Sequence, residues 1–427
     1  MQPKPFRVAE FRGKNNVLQP EQTRANEFQV LKNVYVTDAA KIRRRQGYTR
    51  VYTGAVHSLY SDGTALLFRE GTALKRLESD YSATTLRADL TGGRPMRYLT
   101  VAGRTFFTDG IATGVYEAAS GRCRSWGLEV PGPPVLTATA GLLPAGRYQV
   151  ATTFVRDDGQ EGGAPAAVAI DVTANAGIQI DNLSMSLDPT VAALNLYVTA
   201  TNGEVLGRIA TLPNGTKTLT YTGSVTGATG ASPLLTQFLE APPPGQLLTY
   251  YNGRVYVAAD NVLWYTEKDY AVELCRRRDA YLPWPSRVTL LGAVQNGLWI
   301  STLTETGFIM GDPSSADVKY LAKAPYGAIE GTGVEAHGPD IAKGEIPGRV
   351  WLWTAPQGIC CGGADGVFVN LTDGRVVFPA AALGVGALKT EEDAKLYLVG
   401  LYFSHVGLGS LPALLASGTA EETVPAP

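Results

Sequence analysis

Charge is scarce in this sequence. Asp, Glu, Lys and Arg make up 18% of its 427 residues, below the roughly 25% of an ordinary soluble globular chain, so much of the surface must be neutral or covered by partners. Neither sign prevails: 37 Lys and Arg against 39 Asp and Glu give a formal net charge of -2. That excludes the strongly basic balance of a dedicated nucleic-acid binder, while leaving room for a few local phosphate contacts. Histidine is rarer still. His57, His337 and His405 form no HExxH and no pair at helical spacing, so each reads as an ordinary strand or loop residue and no metal site is expected. The four cysteines, Cys123, Cys275, Cys360 and Cys361, supply neither a disulfide framework nor paired CxxC spacing; they read as buried thiols of a chain made in a reducing cytosol. No apolar run approaches the length of a membrane span, and the opening "MQPKPFRVAEFRGKN" has no signal-peptide pattern. Helical periodicity is hard to find, with "LKTEEDAKLYL" and "DYAVELCRR" as the best short candidates.

What the chain has in abundance is turns. Asn-Gly and Asp-Gly supply the positive φ angles of two-residue hairpins, and such pairs occur at Asp62, Asp109, Asp158, Asn202, Asn214, Asn252, Asn296, Asp365 and Asp373. Most lie near short β-branched or alternating runs, as in "YNGRVYVAADNVLWYTE". The chain is therefore expected to be all-β. Its length exceeds the roughly 250 to 300 residues at which one core stops growing, so two or three domains are expected.

Composition divides it. Residues 1–50 are polar and mixed, an N-terminal arm or docking layer. Residues 51–130 hold two similar units, "HSLYSDGTALLFREGTALKRLE" and "RYLTVAGRTFFTDGIATGVYEA", recurring at roughly forty residues, the spacing of propeller blades. Residues 131–240, between "VPGPPV" and "APPPG", turn to Ala, Thr, Gly and Val, with about seven strands, the number of an immunoglobulin- or fibronectin-like sandwich. Residues 241–427 resume the blade pattern and end in a small-residue strap, "LPALLASGTAEETVPAP". The predicted architecture is a β-propeller-like body interrupted by an inserted sandwich, with five to seven blades fitting the residues available.

Chemistry is hard to place. GxSxG and the GxxxxGK[ST] cradle are absent, so neither an α/β hydrolase nor a nucleotide site is expected. Propellers can carry glycosidase carboxylate pairs, which makes Asp62, Asp109, Asp365 and Asp373 worth testing, but all four precede Gly, where turn chemistry is a sufficient reason for Asp. No catalytic residue, metal or cofactor is assigned. Two groups remain as candidates for recognition. In "KIRRRQGY", strand alternation puts Lys41, Arg43 and Arg45 on one face and Ile42, Arg44 and Gln46 on the other. That reads as a solvated or partner-facing strand, with a channel lining in a ring of several copies as the alternative. Tyr281, Trp284, Trp351 and Trp353, in "YLPWPSR" and "VWLWTAP", are candidates for surface recognition, against the alternative of packing between blades.

The opening resembles that of virion structural proteins of tailed bacteriophages, which run from an F-x-G-x-N segment through an N-V strand to an RR-x-G and a first blade. The matching residues are Phe11, Gly13, Asn15, Asn33, Val34, Arg44, Arg45, Gly47, His57, Ser58, Leu59, Asp62 and Gly63. "AGRYQVATTFVRDDGQEGGAP" with "LNLYVTATNGEVLGRIATL" resembles their fibronectin-like insert. "APPPGQLLTYYNGRVYVAADNVLWYTE" resembles their return to the propeller, and "APQGICCGGADGVFVNLT" a late blade. The resemblance implies a non-enzymatic part of a phage tail, at the tip, hub or nozzle, assembled in the host cytoplasm and residing in the virion. The implied partners are other tail proteins and further copies in a ring or trimer, with a DNA exit path that it lines or caps. A host-surface glycan or pilus receptor is the alternative partner.

Overall fold

The computed structural model describes residues 10–37, 39–223, 231–341, 346–372, 374–379, 381–391 and 394–403. It is nearly all β. Five antiparallel four-stranded meanders follow one another, each with its strands in chain order, as the hairpin turns require. The N-terminal layer comes first: β1 (Gly13–Lys14) pairs parallel with β2 (Glu27–Phe28), and β3 (Val34–Val36) pairs antiparallel with β4 (Ile42–Arg44).

Blade 1 consists of β5 (Val56–Ser61), β6 (Leu66–Glu70), β7 (Ala73–Leu77) and β8 (Ala83–Arg87). Blade 2 consists of β9 (Arg97–Val101), β10 (Arg104–Thr108), β11 (Thr113–Glu117) and β12 (Arg122–Arg124). These are the two sequence units, each extended by a fourth strand. The repeat is also a contact rule. Tyr60 OH donates to Thr100 Oγ1 at 3.0 Å, Arg69 Nη1 to Asp109 Oδ2 at 3.3 Å and Arg76 Nη1 to Tyr116 OH at 3.0 Å, each pair 40 residues apart. Arg69 and Asp109 are fully buried, a placement that requires such pairing.

The insert follows: β13 (Val135–Leu143), β14 (Gly146–Arg156), β15 (Val168–Val172), β16 (Ala176–Asp181), β17 (Val191–Thr199), β18 (Leu206–Pro213) and β19 (Leu219–Tyr221). They form a three-stranded sheet, β13-β16-β19, and a four-stranded sheet, β15-β14-β17-β18. Alternate residues face inward: Tyr148, Val150 and Phe154 from β14 and Leu194, Leu196 and Val198 from β17 meet Ile178 and Ile180 of β16, the packing of a β-sandwich.

Blade 3 is β20 (Leu247–Tyr251), β21 (Arg254–Ala259), β22 (Val262–Tyr265) and β23 (Tyr281–Pro283). Blade 4 is β24 (Val288–Val294), β25 (Gly297–Thr302), β26 (Thr306–Met310) and β27 (Lys319–Ala324). Blade 5 is β28 (Val334–His337), β29 (Arg349–Ala355), β30 (Gly358–Gly362) and β31 (Phe368–Asn370). A final hairpin, β32 (Leu383–Glu391) with β33 (Ala394–Tyr402), lies beside β28.

The core is a series of seams. Leu67 and Leu74 of blade 1 meet Phe107 and Tyr116, whereas Phe106 and Val115, on the other face of blade 2, meet Val255 and Val257 of blade 3. Tyr256 and Leu263 meet Leu291 and Ile300, Trp299 and Phe308 meet Trp353 and Cys360, and Val350 and Cys361 meet Tyr397 of the hairpin. Blades 2 to 5 thus each bury both faces, as a radial or stacked array of small sheets demands. The period of two resolves the adjacent cysteines: Cys360 and Cys361 point into different seams, and burial pushes their thiols up to about 12 and about 11. Cys275 is also buried, and Cys123 half-buried.

Both helical expectations are corrected. "LKTEEDAKLYL" contributes to β32 and β33, whose ladder runs from Leu383↔Tyr402 to Glu391↔Ala394. "DYAVELCRR" holds only a three-residue 3-10 turn, Asp269–Ala271, after which Cys275 bridges to Glu240. The C-terminal strap, His405 and Asp373 lie outside the described residues.

Candidate functional site

The basic segment is an open ribbon. β4 pairs with β3, with Val34↔Arg44, Tyr35↔Arg43 and Val36↔Ile42 as partners, and backbone bonds run from Arg45 N to Asn33 O at 2.9 Å and from Phe11 N to Ala40 O at 2.9 Å. Every residue from Lys41 to Val51 is exposed. That run carries Lys41, Arg43, Arg44, Arg45 and Arg50 and no acid, so both faces of the strand present cations; Tyr48 stands 79% exposed among them.

The ribbon belongs to a wider polarity of charge. Residues 1–52 contain 11 basic and 4 acidic side chains, leaving 26 basic and 35 acidic in the rest of the chain. The near-neutral total therefore conceals a positive layer on an acidic body, which counting by region would have shown. The layer is tied to the far end of the fold: Asn16 N donates to Arg375 O at 3.0 Å, Asn16 Nδ2 to Val377 O at 3.0 Å and Val377 N to Asn16 Oδ1 at 3.0 Å.

The aromatic candidates separate. Trp353 is fully buried, tilted against Trp299 at 5.6 Å and Phe368 at 5.9 Å; surface recognition is overturned for it because its face of β29 packs into the seam with blade 4. Trp351 projects into that seam half-buried, its indole donating to Ala293 O at 3.0 Å. Tyr281 is exposed beside Trp264 at 5.2 Å, and half-buried Trp284 meets exposed Tyr320 at 5.2 Å. Tyr281 and Tyr320 lie on β23 and β27, the outer strands of blades 3 and 4, while Trp264 belongs to β22 and Trp284 follows β23.

The turn aspartates bind their own turns. Asp62 Oδ1 accepts from Thr64 N and Ala65 N at 2.8 and 2.9 Å, and Asp109 Oδ1 from Ile111 N and Ala112 N at 2.9 and 2.7 Å. Asp365 adopts φ 56°. The turns also latch neighbouring blades, a function the sequence did not signal: Asn252 Nδ2 of blade 3 donates to Asp312 Oδ2 of blade 4 at 2.7 Å, and Asn296 Nδ2 of blade 4 to Asp365 Oδ1 of blade 5 at 2.7 Å. His57 is half-buried, its Nδ1 2.9 Å from Ser58 Oγ; burial, then the Arg69 charge, lowers its pKa. His337 is exposed on β28.

A buried ionic knot fastens blade 2 to the segment between β22 and β23 of blade 3, beside the root of the insert. Glu273, fully buried, accepts from Arg124 Nη1 and Nη2 at 2.6 and 2.7 Å and from Arg104 Nη1 at 2.9 Å. Arg156, at the end of β14, donates to Gly127 O at 2.8 Å and Thr190 Oγ1 at 2.6 Å. Gly127 has φ +76°, and a Cβ there would stand 2.7 Å from both Ala241 Cβ and Glu273 O, so only glycine fits the join.

The chain matches no family model, and no curated protein matches it. Among solved structures it is similar to the "AfRom2 CNH domain", at 8% identity and a TM-score of 0.26 over 82% of this chain and 95% of that one. It is also similar to the N-terminal domain of Nup159, at 10% identity and a TM-score of 0.26 over 81% and 76%. A third is PorZ, a surface component of the type-IX secretion system of Porphyromonas gingivalis, at 12% identity and a TM-score of 0.15 over 73% and 52%.

Proposed function

We propose that this chain is a structural subunit of a bacteriophage tail, at the tip, hub or nozzle, and that it works by protein–protein assembly through its N-terminal layer. The open ribbon carries the reading. A two-stranded hairpin alone is at best marginally stable in water, and an edge strand is a template for pairing with another chain; here β4 and the segment that follows it expose eleven successive residues, 41–51, with five cations among them. The resemblance of the sequence around it to phage virion proteins supports the setting, including further copies of the chain and a DNA exit path as neighbours. The test substitutes Arg43, Arg44 and Arg45 by Gln in the full chain. The variant is expected to fold normally and to be missing from purified particles, with immunogold on wild-type particles at the tail end. Normal incorporation, or gold elsewhere than on the tail, overturns the proposal.

The exposed Tyr281 and Tyr320, each braced by a tryptophan, favour a second reading, a host-surface module that takes a glycan or pilus on these rings. Adsorption of the isolated protein to permissive cells, abolished by Tyr281→Ala, supports it; no adsorption removes it.

A further inference from the structure

Between the N-terminal layer and the loop after β31 lies an open pocket of about 540 Å³, into which Arg12, Arg24 and Arg375 project together with Glu27, Val17 and Leu18. Its floor is fixed. Asn15 Nδ2 donates to Glu27 Oε2 at 2.9 Å, both residues being buried, and Asn15 Oδ1 accepts from Val17 N and Leu18 N at 3.2 and 3.3 Å. Arg375 is held by backbone carbonyls, Nε on Thr372 O and Nη1 on Arg12 O, each at 3.3 Å. Among the described residues none of the three guanidinium groups is in an ion pair with a carboxylate. Three cations therefore face one engaged carboxylate across a pre-formed recess.

We propose that this pocket captures a Glu or Asp side chain from an acidic, partly apolar peptide segment of a neighbouring protein subunit. Guanidinium groups match carboxylates through paired hydrogen bonds. The volume exceeds that of a single small oxyanion and lies within the roughly 300 to 1,000 Å³ of ordinary ligand pockets. Exposed Val17 and Leu18 at the rim suit apolar residues beside the acid, a contact that a phosphate backbone does not offer, which disfavours nucleic acid. The proposal rests on the reading of the N-terminal layer as a docking element and names what that element grips.

The test is fluorescence anisotropy of the full chain with a rhodamine-labelled hexapeptide of alternating Glu and Leu, amidated at its end, beside the same peptide with Gln for Glu. Wild type is expected to bind the Glu peptide alone. Arg24→Gln, which removes a side chain with no hydrogen bond in the described structure, and Arg375→Gln should each weaken binding about tenfold or more, the loss of one charge-assisted contact. Arg45→Gln, an equal change of net charge outside the pocket, should not. Absent binding, equal binding by the pocket variants, an equal loss in Arg45→Gln, or easier displacement of the peptide by oligothymidylate than by unlabelled peptide each overturns the proposal. Failure here with the ribbon variant still missing from particles refutes the pocket alone. Binding here with normal incorporation of the ribbon variant refutes ribbon docking alone.

Discussion

Replacing Glu273 by Gln should open the join between blades 2 and 3. The carboxylate accepts four hydrogen bonds: Arg124 twice, Arg104 at 2.9 Å and the Gly127 amide at 3.3 Å. A Gln keeps one acceptor and turns a donor amide toward donors, losing two charge-assisted bonds at about 1.5 to 3 kcal/mol each. Arg104, with 27% of its side chain exposed, turns to water at little cost, but Arg124, at 4%, is left with Glu117 at 2.9 Å as its one carboxylate partner. The expected loss is about 3 to 5 kcal/mol, that of breaking a buried pair. A chain of several domains does not unfold in one step, so the suitable assay is amide hydrogen exchange read on peptides spanning 122–130 and 268–275. Exchange there should be at least about a hundredfold faster, at tenfold per 1.4 kcal/mol. Rates within threefold of wild type refute the reasoning. Asp157→Asn, which breaks the exposed Arg122–Asp157 pair at 2.8 Å, is the contrast and should leave exchange in both peptides within threefold of wild type, because solvent screens an exposed pair. Acid gives an independent check. Burial alone would raise the Glu273 carboxyl, but the hydrogen bonds and charge of Arg124, with the charges of Arg156 and Arg104, outweigh it and hold the group below its ordinary value. Its stabilisation is therefore complete above the unfolded value of about 4.3 and lost as pH falls through the lower native one, so wild type and Glu273→Gln should converge in acid.

Trp353→Ala should cost about 3 to 5 kcal/mol in denaturant unfolding, as an emptied core site does, while Tyr281→Ala should stay within about 0.5 kcal/mol. Asn252→Ala and Asn296→Ala should each cost about 0.5 to 1.5 kcal/mol and add, because the latches share no partner; single variants as stable as wild type show that the latches carry nothing, and a double variant no worse than either single one refutes their independence. Gly127→Ala should express poorly or melt early, whereas Gly63→Ala, at φ +91° but with open space around it, should cost only about 1 to 2 kcal/mol of backbone strain.

Local signals fixed most of the architecture. Asn-Gly and Asp-Gly turns marked the hairpins, and the strands of the first two blades begin at Val56 and Arg97, close to the interval seen in the repeat. The insert's strands, Val135 to Tyr221, fall between the two proline clusters. The misreadings were non-local in origin. "LKTEEDAKLYL" became part of a hairpin because its two halves pair with each other in the β32–β33 ladder, and no short window distinguishes that from one turn of helix. Trp351 and Trp353, two residues apart, share a face, but whether a face meets solvent or another blade depends on a partner dozens of residues away. The Arg124–Glu273 knot, with partners separated by 149 positions, has no local signature at all. Charge polarity was present in the residues but averaged out in the total.

The reciprocal bonding of Asn16 with Val377 gives the molecule a particular load path. Tension applied to the arm does not simply peel blade 1 from the beginning of the chain; it is shared with the strand exit of blade 5, 361 residues downstream. Both extremities of the blade series bear it together. A subunit anchored by its arm is thereby strained as a closed strap around its seams, and its resistance to pulling is set by the small Asn16–Val377 clasp rather than by the much larger cores between blades.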